Sequence, residues 1–211
     1  MTGTVLTPKQ VQERFTSRFG PGIKESRIQE RCEGKKKVPH YALWIDLDRE
    51  LLKPAVQALI DIRFPHLSVI AANDLGESIR LLYIFSLYYG EVKGEFMVTL
   101  AVTLPKSDLT VPTISDLIPG ADFGEREKQE FLGVKVTRIP DGRRLFLPED
   151  FPEGIYPWRK DGTGIPESMV KDLWATKRPK DRPAPAAEAK EMCELEPEAP
   201  PDERVPGKEG T

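Results

Sequence analysis

The sequence has 211 residues, with 31 lysines and arginines against 34 acidic residues and a formal net charge of −3. A chain of this length forms one domain with extensions or two small domains. Because charges of both signs are nearly balanced, the composition argues against a nucleic-acid-binding protein. The hydrophobic content of 39% is enough for one core.

Two cysteines, Cys32 and Cys193, stand far apart and lack CxxC spacing. A zinc site or an iron–sulfur cluster held by this chain alone is therefore not expected. We interpret both as free thiols in a reducing compartment, with a disulfide between them as the alternative. The longest apolar stretch, 81–89, is shorter than the about 20 residues that a membrane-spanning helix needs, and no signal-peptide pattern is present at the start. We expect any attachment to a membrane to run through other chains.

The first predicted element is a helix that begins after Thr7. Thr7 is a favourable capping residue, and Gln10 stands three positions later, as in a capping box. Val11, Phe15 and Phe19 follow at spacing four and form one apolar stripe. Gly-Pro directly after Phe19 predicts the end of the helix.

Alternating apolar and polar residues predict a sheet in the first two thirds of the chain. Strands are expected at 23–33, 38–47, 67–72, 79–89 and 96–104, with an amphipathic helix at 51–63. The last two strands give the clearest hairpin pattern, with glycines on both sides of their connection. The sequence therefore predicts an α+β fold in which a mixed or antiparallel sheet packs with helices.

The pattern changes after residue 105. A short helical segment is expected at 115–118, and a helix at 121–132 with Gly133 as its C-terminal cap. Residues 134–161 show little periodicity, and their recurring prolines exclude long regular elements. Because this stretch also carries large apolar residues such as Leu145, we expect it to lie against its own domain or against a partner chain.

These changes divide the chain into three predicted parts. Residues 1–133 form the α+β domain, 134–174 an extended docking segment, and 175–211 a tail rich in Pro, Ala, Glu and Lys. Such a composition is typical of disorder.

The predicted helix at 121–132 holds three glutamates, Glu125, Glu127 and Glu130, interleaved with Arg126 and Lys128. Paired carboxylates can perform acid–base chemistry, but the interleaved cations favour an ion-paired, solvated or docking surface. No glycine-rich phosphate loop or dinucleotide fingerprint is present. We therefore predict no catalytic, cofactor-binding or metal-binding site in this chain.

Residues 125–161 combine eight acidic and eight basic residues with several aromatic side chains. Arginines pair with carboxylates through two parallel hydrogen bonds, and arginines and aromatics are common interface anchors. Balanced charge of this kind suits wrapping around a protein partner better than binding an anionic polymer.

The same region resembles the 30 kDa subunit of respiratory complex I, the NADH-quinone oxidoreductase. The matching stretches are Val-Pro-Thr-Ile-Ser-Asp-Leu at 111–117, Glu-Arg-Glu at 125–127, Phe-Leu-Gly-Val at 131–134, Pro-Asp-Gly-Arg-Arg-Leu at 140–145 and Pro-Trp-Arg-Lys-Asp at 157–161. The order of elements upstream is similar as well. The resemblance thus extends from about residue 7 to about residue 162, counted over these motifs and elements.

Three departures from that family pattern stand out. Glu130 replaces an aspartate, and Arg-Ile-Pro at 138–140 replaces Gly-His-Pro. The stretch Leu-Pro-Glu-Asp-Phe-Pro-Glu-Gly at 147–154 is more similar to relatives in energy-converting membrane-bound nickel–iron hydrogenases and formate hydrogenlyase-like complexes. The departures favour a hydrogenase-type complex over an NADH:quinone oxidoreductase.

The resemblance implies a non-catalytic subunit of the peripheral arm. Its implied partners are the large subunit homologous to the complex I 49 kDa subunit and the hydrogenase large subunit, and the iron–sulfur small subunit. Iron–sulfur clusters, together with a nickel–iron site or quinone, are expected in those partners and not in this chain. The implied location is peripheral, on the cytoplasmic side of the cell membrane, with no nucleic-acid partner.

The resemblance also implies which residues lie at the partner interface. They are Glu125, Arg126, Glu127, Gly133, Asp141, Arg143, Arg144, Pro148, Pro152, Gly154, Pro157, Trp158, Arg159, Lys160 and Asp161. The alternative is a free-standing enzyme or adaptor unrelated to respiratory complexes. An enzyme predicts activity or a bound cofactor in the purified chain, and an adaptor predicts no co-purification with iron–sulfur proteins.

Overall fold

The computed structural model describes residues 5–35, 37–91 and 94–170. The elements in chain order are α1 (Pro8–Phe19), β1 (Ile23–Glu33), β2 (Val38–Leu47), α2 (Leu52–Ile62), β3 (His66–Asp74), β4 (Ser78–Leu87), β5 (Phe96–Pro105), β6 (Thr110–Pro112), α3 (Ala121–Leu132) and β7 (Lys135–Thr137). Short 3-10 turns lie at Gly20–Gly22, Arg49–Leu51 and Glu167–Met169.

The first helix begins as its sequence predicts. The Thr7 side chain accepts a hydrogen bond from the Gln10 N–H, and the Gln10 side chain accepts one from the Thr7 N–H at 2.8 Å. These two bonds satisfy N–H groups that a helix start otherwise leaves without partners. Val11 and Phe15 face inward and are at most 1% exposed.

Five strands form one sheet in the order β1-β2-β5-β4-β3. All neighbouring strands are antiparallel except β2 and β5, which are parallel. Parallel strands need a long connection, and α2, β3 and β4 supply it here. The predicted α+β class, with a mixed sheet packed with helices, is confirmed.

The core lies on one side of the sheet because successive strand residues face opposite sides. On β4, Ile79, Leu81, Tyr83, Phe85 and Leu87 are all at most 1% exposed. They pack with the buried residues of α1, α2 and α3 in one continuous cluster. None of these three helices packs on the opposite side of the sheet.

Three local predictions need correction. The strand expected at 67–72 is longer and spans His66–Asp74. Residues 115–118 form a single turn and no helix: the N–H groups of Leu117 and Ile118 both bond to the Ile114 carbonyl, and a proline follows. Residues 134–161 do contain a short strand, β7, which pairs in parallel with β6.

Residues up to Met169 form one compact unit. The predicted docking segment therefore packs with the α+β domain over 134–169 and has no separate core. The predicted tail at 175–211 lies outside the described residues. In the part of the chain that is described, no helix has the length and apolar character needed to cross a membrane.

Candidate partner interface

A buried glutamate on α3 fixes the backbone of the docking segment. The Glu130 carboxylate accepts the N–H groups of Leu145 at 2.5 Å, Phe146 at 2.9 Å and Leu147 at 2.7 Å. Glu130 is only 9% exposed. Since hydrogen bonds to an ionised acceptor are stronger than neutral ones, this carboxylate holds three consecutive residues of an otherwise irregular segment.

Arg126, one helical turn before Glu130, binds the residues just upstream. Its guanidinium donates to the Arg143 carbonyl at 2.9 Å and the Arg144 carbonyl at 3.3 Å. It also forms ion pairs with Asp122 at 3.5 Å and Asp141 at 3.6 Å. Arg126 of α3 therefore donates to backbone carbonyls, and Glu130 of α3 accepts from backbone N–H groups, along residues 143–147.

Asp74, at the end of β3, holds the far end of the segment. Its side chain is fully buried and accepts hydrogen bonds from the N–H groups of Lys160 and Gly76, each at 2.9 Å, and from the Lys106 ammonium at 3.0 Å. Burial raises the pKa of Asp74, but these hydrogen bonds outweigh burial, so the pKa is lowered. Lys106 also pairs with Asp161.

Aromatic rings join the segment to α3 between these two anchors. The ring of Phe131 stacks on Trp158 with centroids 4.6 Å apart and lies 5.9 Å from Phe146. The backbone N–H of Trp158 donates to the Phe131 carbonyl at 3.0 Å, and the Lys128 ammonium lies 5.1 Å from the Trp158 ring centroid. Such ring pairs add stability beyond the area that they bury.

The end of α3 depends on Gly133. Its φ of 69° is in the left-handed region, and a Cβ there would lie 2.6 Å from the Tyr156 ring and 2.8 Å from the Arg159 guanidinium. Arg159 donates to the Leu132 carbonyl at 2.9 Å, where a cation also favours the negative end of the helix dipole. The predicted cap is confirmed, and the segment packs directly against it.

The prediction of a solvated or docking surface is wrong for two of the three glutamates of α3, since Glu125 and Glu130 are buried inside the chain. Glu125 is 1% exposed and accepts from the Thr113 hydroxyl at 2.5 Å and the Ile114 N–H at 2.8 Å. Burial raises the pKa of Glu125 to about 7, although these hydrogen bonds oppose the rise. Glu127 pairs with its neighbour Lys128.

Arg143 and Arg144 are neighbours with different surroundings. The Arg143 side chain is 85% exposed and pairs through two nitrogens with Asp141, at 2.9 and 2.8 Å. Arg144 donates to the carbonyls of Pro148 at 3.0 Å and Phe151 at 2.8 Å, so it closes the loop that it begins. Arg143 is thus available to a partner, whereas Arg144 orders the segment.

The remaining predicted interface residues lie in turns of the same segment. The Pro148 carbonyl accepts the Phe151 N–H at 3.1 Å. Pro152 and Gly154 are exposed, and Gly154 has a φ of 79°. Pro157 is half-buried beside Trp158 in a turn.

Four large apolar side chains remain exposed where the segment lies on α3. They are Phe123 at 60%, Phe146 at 50%, Trp158 at 43% and Leu145 at 41%. Phe123 is seven residues before Glu130 and therefore on the same stripe of α3. We call these four residues and Arg143 the docking face. Aromatic residues and arginine surrounded by charged neighbours are typical of the centre of a protein interface.

The sequence does not point to every residue of this arrangement. Glu130 stands out there as one of three glutamates of a predicted helix and as a departure from a family pattern, but not as a buried anchor, and Asp74 and Lys106 carry no local signal. The bond from Lys160 to Asp74 spans 86 positions of sequence, so no local spacing could have indicated it. Within the described residues, no cluster of three or more His, Cys, Asp or Glu side chains could hold a metal ion.

The chain is an α+β domain with an extended segment packed on its last helix. Comparisons with known proteins match both parts to one family of subunits. The family model for the 30 kDa subunit of respiratory-chain NADH dehydrogenase matches residues 45–167. Membrane-bound hydrogenase subunit beta of Pyrococcus furiosus is 32% identical over 173 residues, which cover 82% of this chain and 93% of that protein. An NADH-quinone oxidoreductase subunit of Herpetosiphon aurantiacus is 33% identical over 102 residues, 48% of this chain and 57% of that protein.

A solved structure has a similar fold. A chain of the membrane-bound sulfane sulfur reductase, an archaeal respiratory membrane complex, matches with a TM-score of 0.62 and 20% identity over 83% of this chain and 98% of that chain. The chain belongs to the respiratory-chain NADH dehydrogenase 30 kDa subunit family. It is a complex I 30 kDa-type subunit of the kind found in membrane-bound hydrogenase and NADH–quinone oxidoreductase complexes, and it therefore has partner subunits. The free-standing alternative is not favoured.

Proposed function

We propose that the chain docks through its docking face onto the large subunit of the peripheral arm, the subunit homologous to the complex I 49 kDa subunit and the hydrogenase large subunit. The observation that carries the proposal is that the segment's backbone is bound by its own domain while large apolar side chains remain exposed. Its backbone is held by Glu130, Arg126 and Asp74 of its own domain, while Leu145, Phe146 and Trp158 each keep 41–50% of their surface exposed.

This arrangement lowers the entropic penalty of binding. An unanchored segment loses conformational freedom when it binds, and that loss subtracts from affinity. Here three N–H groups and two carbonyls of 143–147 are already held by α3. The partner therefore meets a preorganised surface with Phe146 and Trp158 in place.

Within the family, a hydrogenase-type complex is the better supported assignment. The Pyrococcus furiosus relative named as a hydrogenase subunit matches over 82% of this chain, whereas the NADH-quinone oxidoreductase relative matches over 48%. The redox centres of the complex, namely iron–sulfur clusters and a nickel–iron site, would then belong to the large subunit and the iron–sulfur small subunit. The role of this chain is to scaffold those subunits on the cytoplasmic side of the membrane, peripherally and without catalysis of its own.

A tagged full-length chain purified from its native host tests the proposal. We expect it to retain a large subunit and an iron–sulfur subunit, identified by mass spectrometry, with nickel and iron in the same fraction. Nickel-ligand cysteine pairs in the large subunit distinguish a hydrogenase from a quinone-linked enzyme. Replacing Leu145 with Glu should reduce retention of the large subunit at least about tenfold, since it places a charge at the interface centre.

The matched control is Leu75→Glu, an equally apolar residue in the β3–β4 turn that is 50% exposed. It should retain the partners at the wild-type level. Equal retention of the large subunit by Leu145→Glu and wild type would exclude the docking face as the contact.

A further inference from the structure

The side of the sheet opposite the helices, which we call the open face, carries a row of apolar residues. Val69 on β3 pairs with Ile84 on β4, and the same register continues through Thr99 on β5 to Trp44 on β2. Met97 lies on the same side of β5, two residues before Thr99. Val69 and Met97 are each 49% exposed, so the open face presents apolar surface to solvent.

A buried carboxylate lies in the middle of the open face. Asp46 of β2 is two residues after Trp44 and pairs with Ala101 of β5. Its side chain is only 9% exposed, and its Oδ1 has no hydrogen-bond partner among the described residues. The Arg80 guanidinium lies 3.8 Å from the other carboxylate oxygen, beyond hydrogen-bond length.

The electrostatics of Asp46 agree with an incomplete site. Burial is the main influence and raises the pKa of Asp46, while Arg80 and Lys24 lower it by less, and Glu25 and Asp48 raise it further. A buried acceptor without a donor destabilises the folded chain and needs an explanation. A donor from outside the chain would supply one.

We propose that the open face is a second subunit-binding surface, occupied by a partner segment whose apolar side chains surround one arginine or lysine directed at Asp46. The apolar row and the orphaned carboxylate oxygen are complementary to such a segment. The proposal rests on the family membership, which provides partner subunits, and is independent of the docking face.

Other occupants fit less well. A second copy of this chain related by a two-fold axis through the open face would bring two Asp46 carboxylates towards each other, and like charges at an interface oppose binding. An acidic partner meets the same repulsion. The C-terminal residues 171–211, with ten acidic and eight basic residues, are an intramolecular candidate that the experiment separates from a partner.

The experiment uses the tagged full-length chain in its native host. Two variants alter the open face: the double variant Val69→Glu with Met97→Glu, and the isosteric Asp46→Asn. We expect each to lower the amount of at least one co-purified subunit about tenfold or more, as removal of a central interface contact does. Phe64→Glu, at a site outside the sheet that is 61% exposed, should behave as wild type.

The purified variants also report on the fold. Asp46→Asn removes a buried charge without changing shape, so the melting temperature of the full chain should stay the same or rise while assembly falls. A merely structural Asp46 would show the reverse, with a lower melting temperature and normal assembly, and this result would overturn the proposal.

Photo-crosslinking identifies the occupant without adding a charge. Benzoylphenylalanine in place of Met97 should crosslink to an arginine- or lysine-containing peptide of another subunit in the purified complex. A crosslink to a second copy, to 171–211 of the same chain, or to nothing would overturn the proposal. Leu145→Glu is measured in parallel. If that variant loses assembly but the open-face variants do not, the open face is rejected as a binding surface and the docking face is retained.

Discussion

Arg126 and Glu130, one turn apart on α3, bind the carbonyl groups and the N–H groups, respectively, of one stretch of backbone. Arg126 donates to the carbonyls of residues 143 and 144, and Glu130 accepts the N–H groups of residues 145–147. In a β-sheet these groups would pair with a neighbouring strand. Here two side chains of one helix pair with these backbone groups instead, which explains how a proline-rich segment lies on the domain in an extended form.

Glu130→Gln should release this segment. An amide has one acceptor oxygen and adds two donors that face the N–H groups of 145–147, so at least one of these groups loses its partner. We expect the free energy of unfolding to fall by about 1–3 kcal/mol. Amide hydrogen exchange at Leu145, Phe146 and Leu147 should accelerate in parallel.

Glu127→Gln is the matched control for that variant. Glu127 is on the same helix and, among the described residues, pairs with its neighbour Lys128 alone. Because Lys128 is only 3% exposed, loss of this ion pair will itself lower the free energy of unfolding, so the readout of the control is hydrogen exchange at 145–147, which should stay at the wild-type rate. If both variants exchange at wild-type rates over 145–147, Glu130 does not hold the segment.

Gly133→Ala should be strongly destabilising for two reasons that act together. The residue has a left-handed φ of 69°, and the added Cβ would meet the Tyr156 ring. We expect a loss of about 2 kcal/mol or more in urea unfolding, from backbone strain of 1–3 kcal/mol and displaced packing. Gly120→Ala, at a φ of −63° with open space around its Cβ position, should be neutral or slightly stabilising. Similar losses in both variants would contradict this account of the cap.

Substitutions should distinguish the roles of the two neighbouring arginines, Arg143 and Arg144. Arg143→Glu changes a side chain that is 85% exposed, so the melting temperature should change by only a few degrees while retention of the large subunit falls at least about tenfold. Arg144→Ala removes the donor to the Pro148 and Phe151 carbonyls. It should therefore increase hydrogen exchange across 148–151 as well as weaken assembly. Normal assembly with Arg143→Glu would remove that residue from the docking face.

Glu125 predicts a pH dependence of stability. Its pKa is raised from 4.5 to about 7 by burial, so the folded state binds more protons than the unfolded state between those values. Stability from this group is therefore present at low pH and is lost as the pH rises through about 7, by up to roughly 3 kcal/mol over that range. Glu125→Gln should flatten the dependence between about pH 4.5 and 7, measured as urea midpoints. An unchanged pH profile in the variant would show that Glu125 titrates normally.

The pKa of the half-buried Asp141 is shifted in the opposite direction. Hydrogen bonds from Arg143 are the main reason that its pKa is lowered, with the nearby Arg126 charge assisting. Its contribution would therefore be lost only in strong acid. The two carboxylates are 16 positions apart, and their surroundings in the fold, not their residue type, set the difference.

Features that depend on residues close together in the chain can be predicted from the sequence. The capping box at Thr7 and Gln10 starts α1, the alternation along β4 fixes its buried face, and Gly133 ends α3, because each signal lies within a few residues. The ordered motifs at 111–161 likewise identified the family. Other features require the folded chain: Glu125 and Glu130 point inward, Asp74 accepts the Lys160 N–H from 86 positions away, and Asp46 lies on the open face. Periodicity places a side chain on one face of an element, whereas its partners depend on which distant elements the sheet order brings beside it.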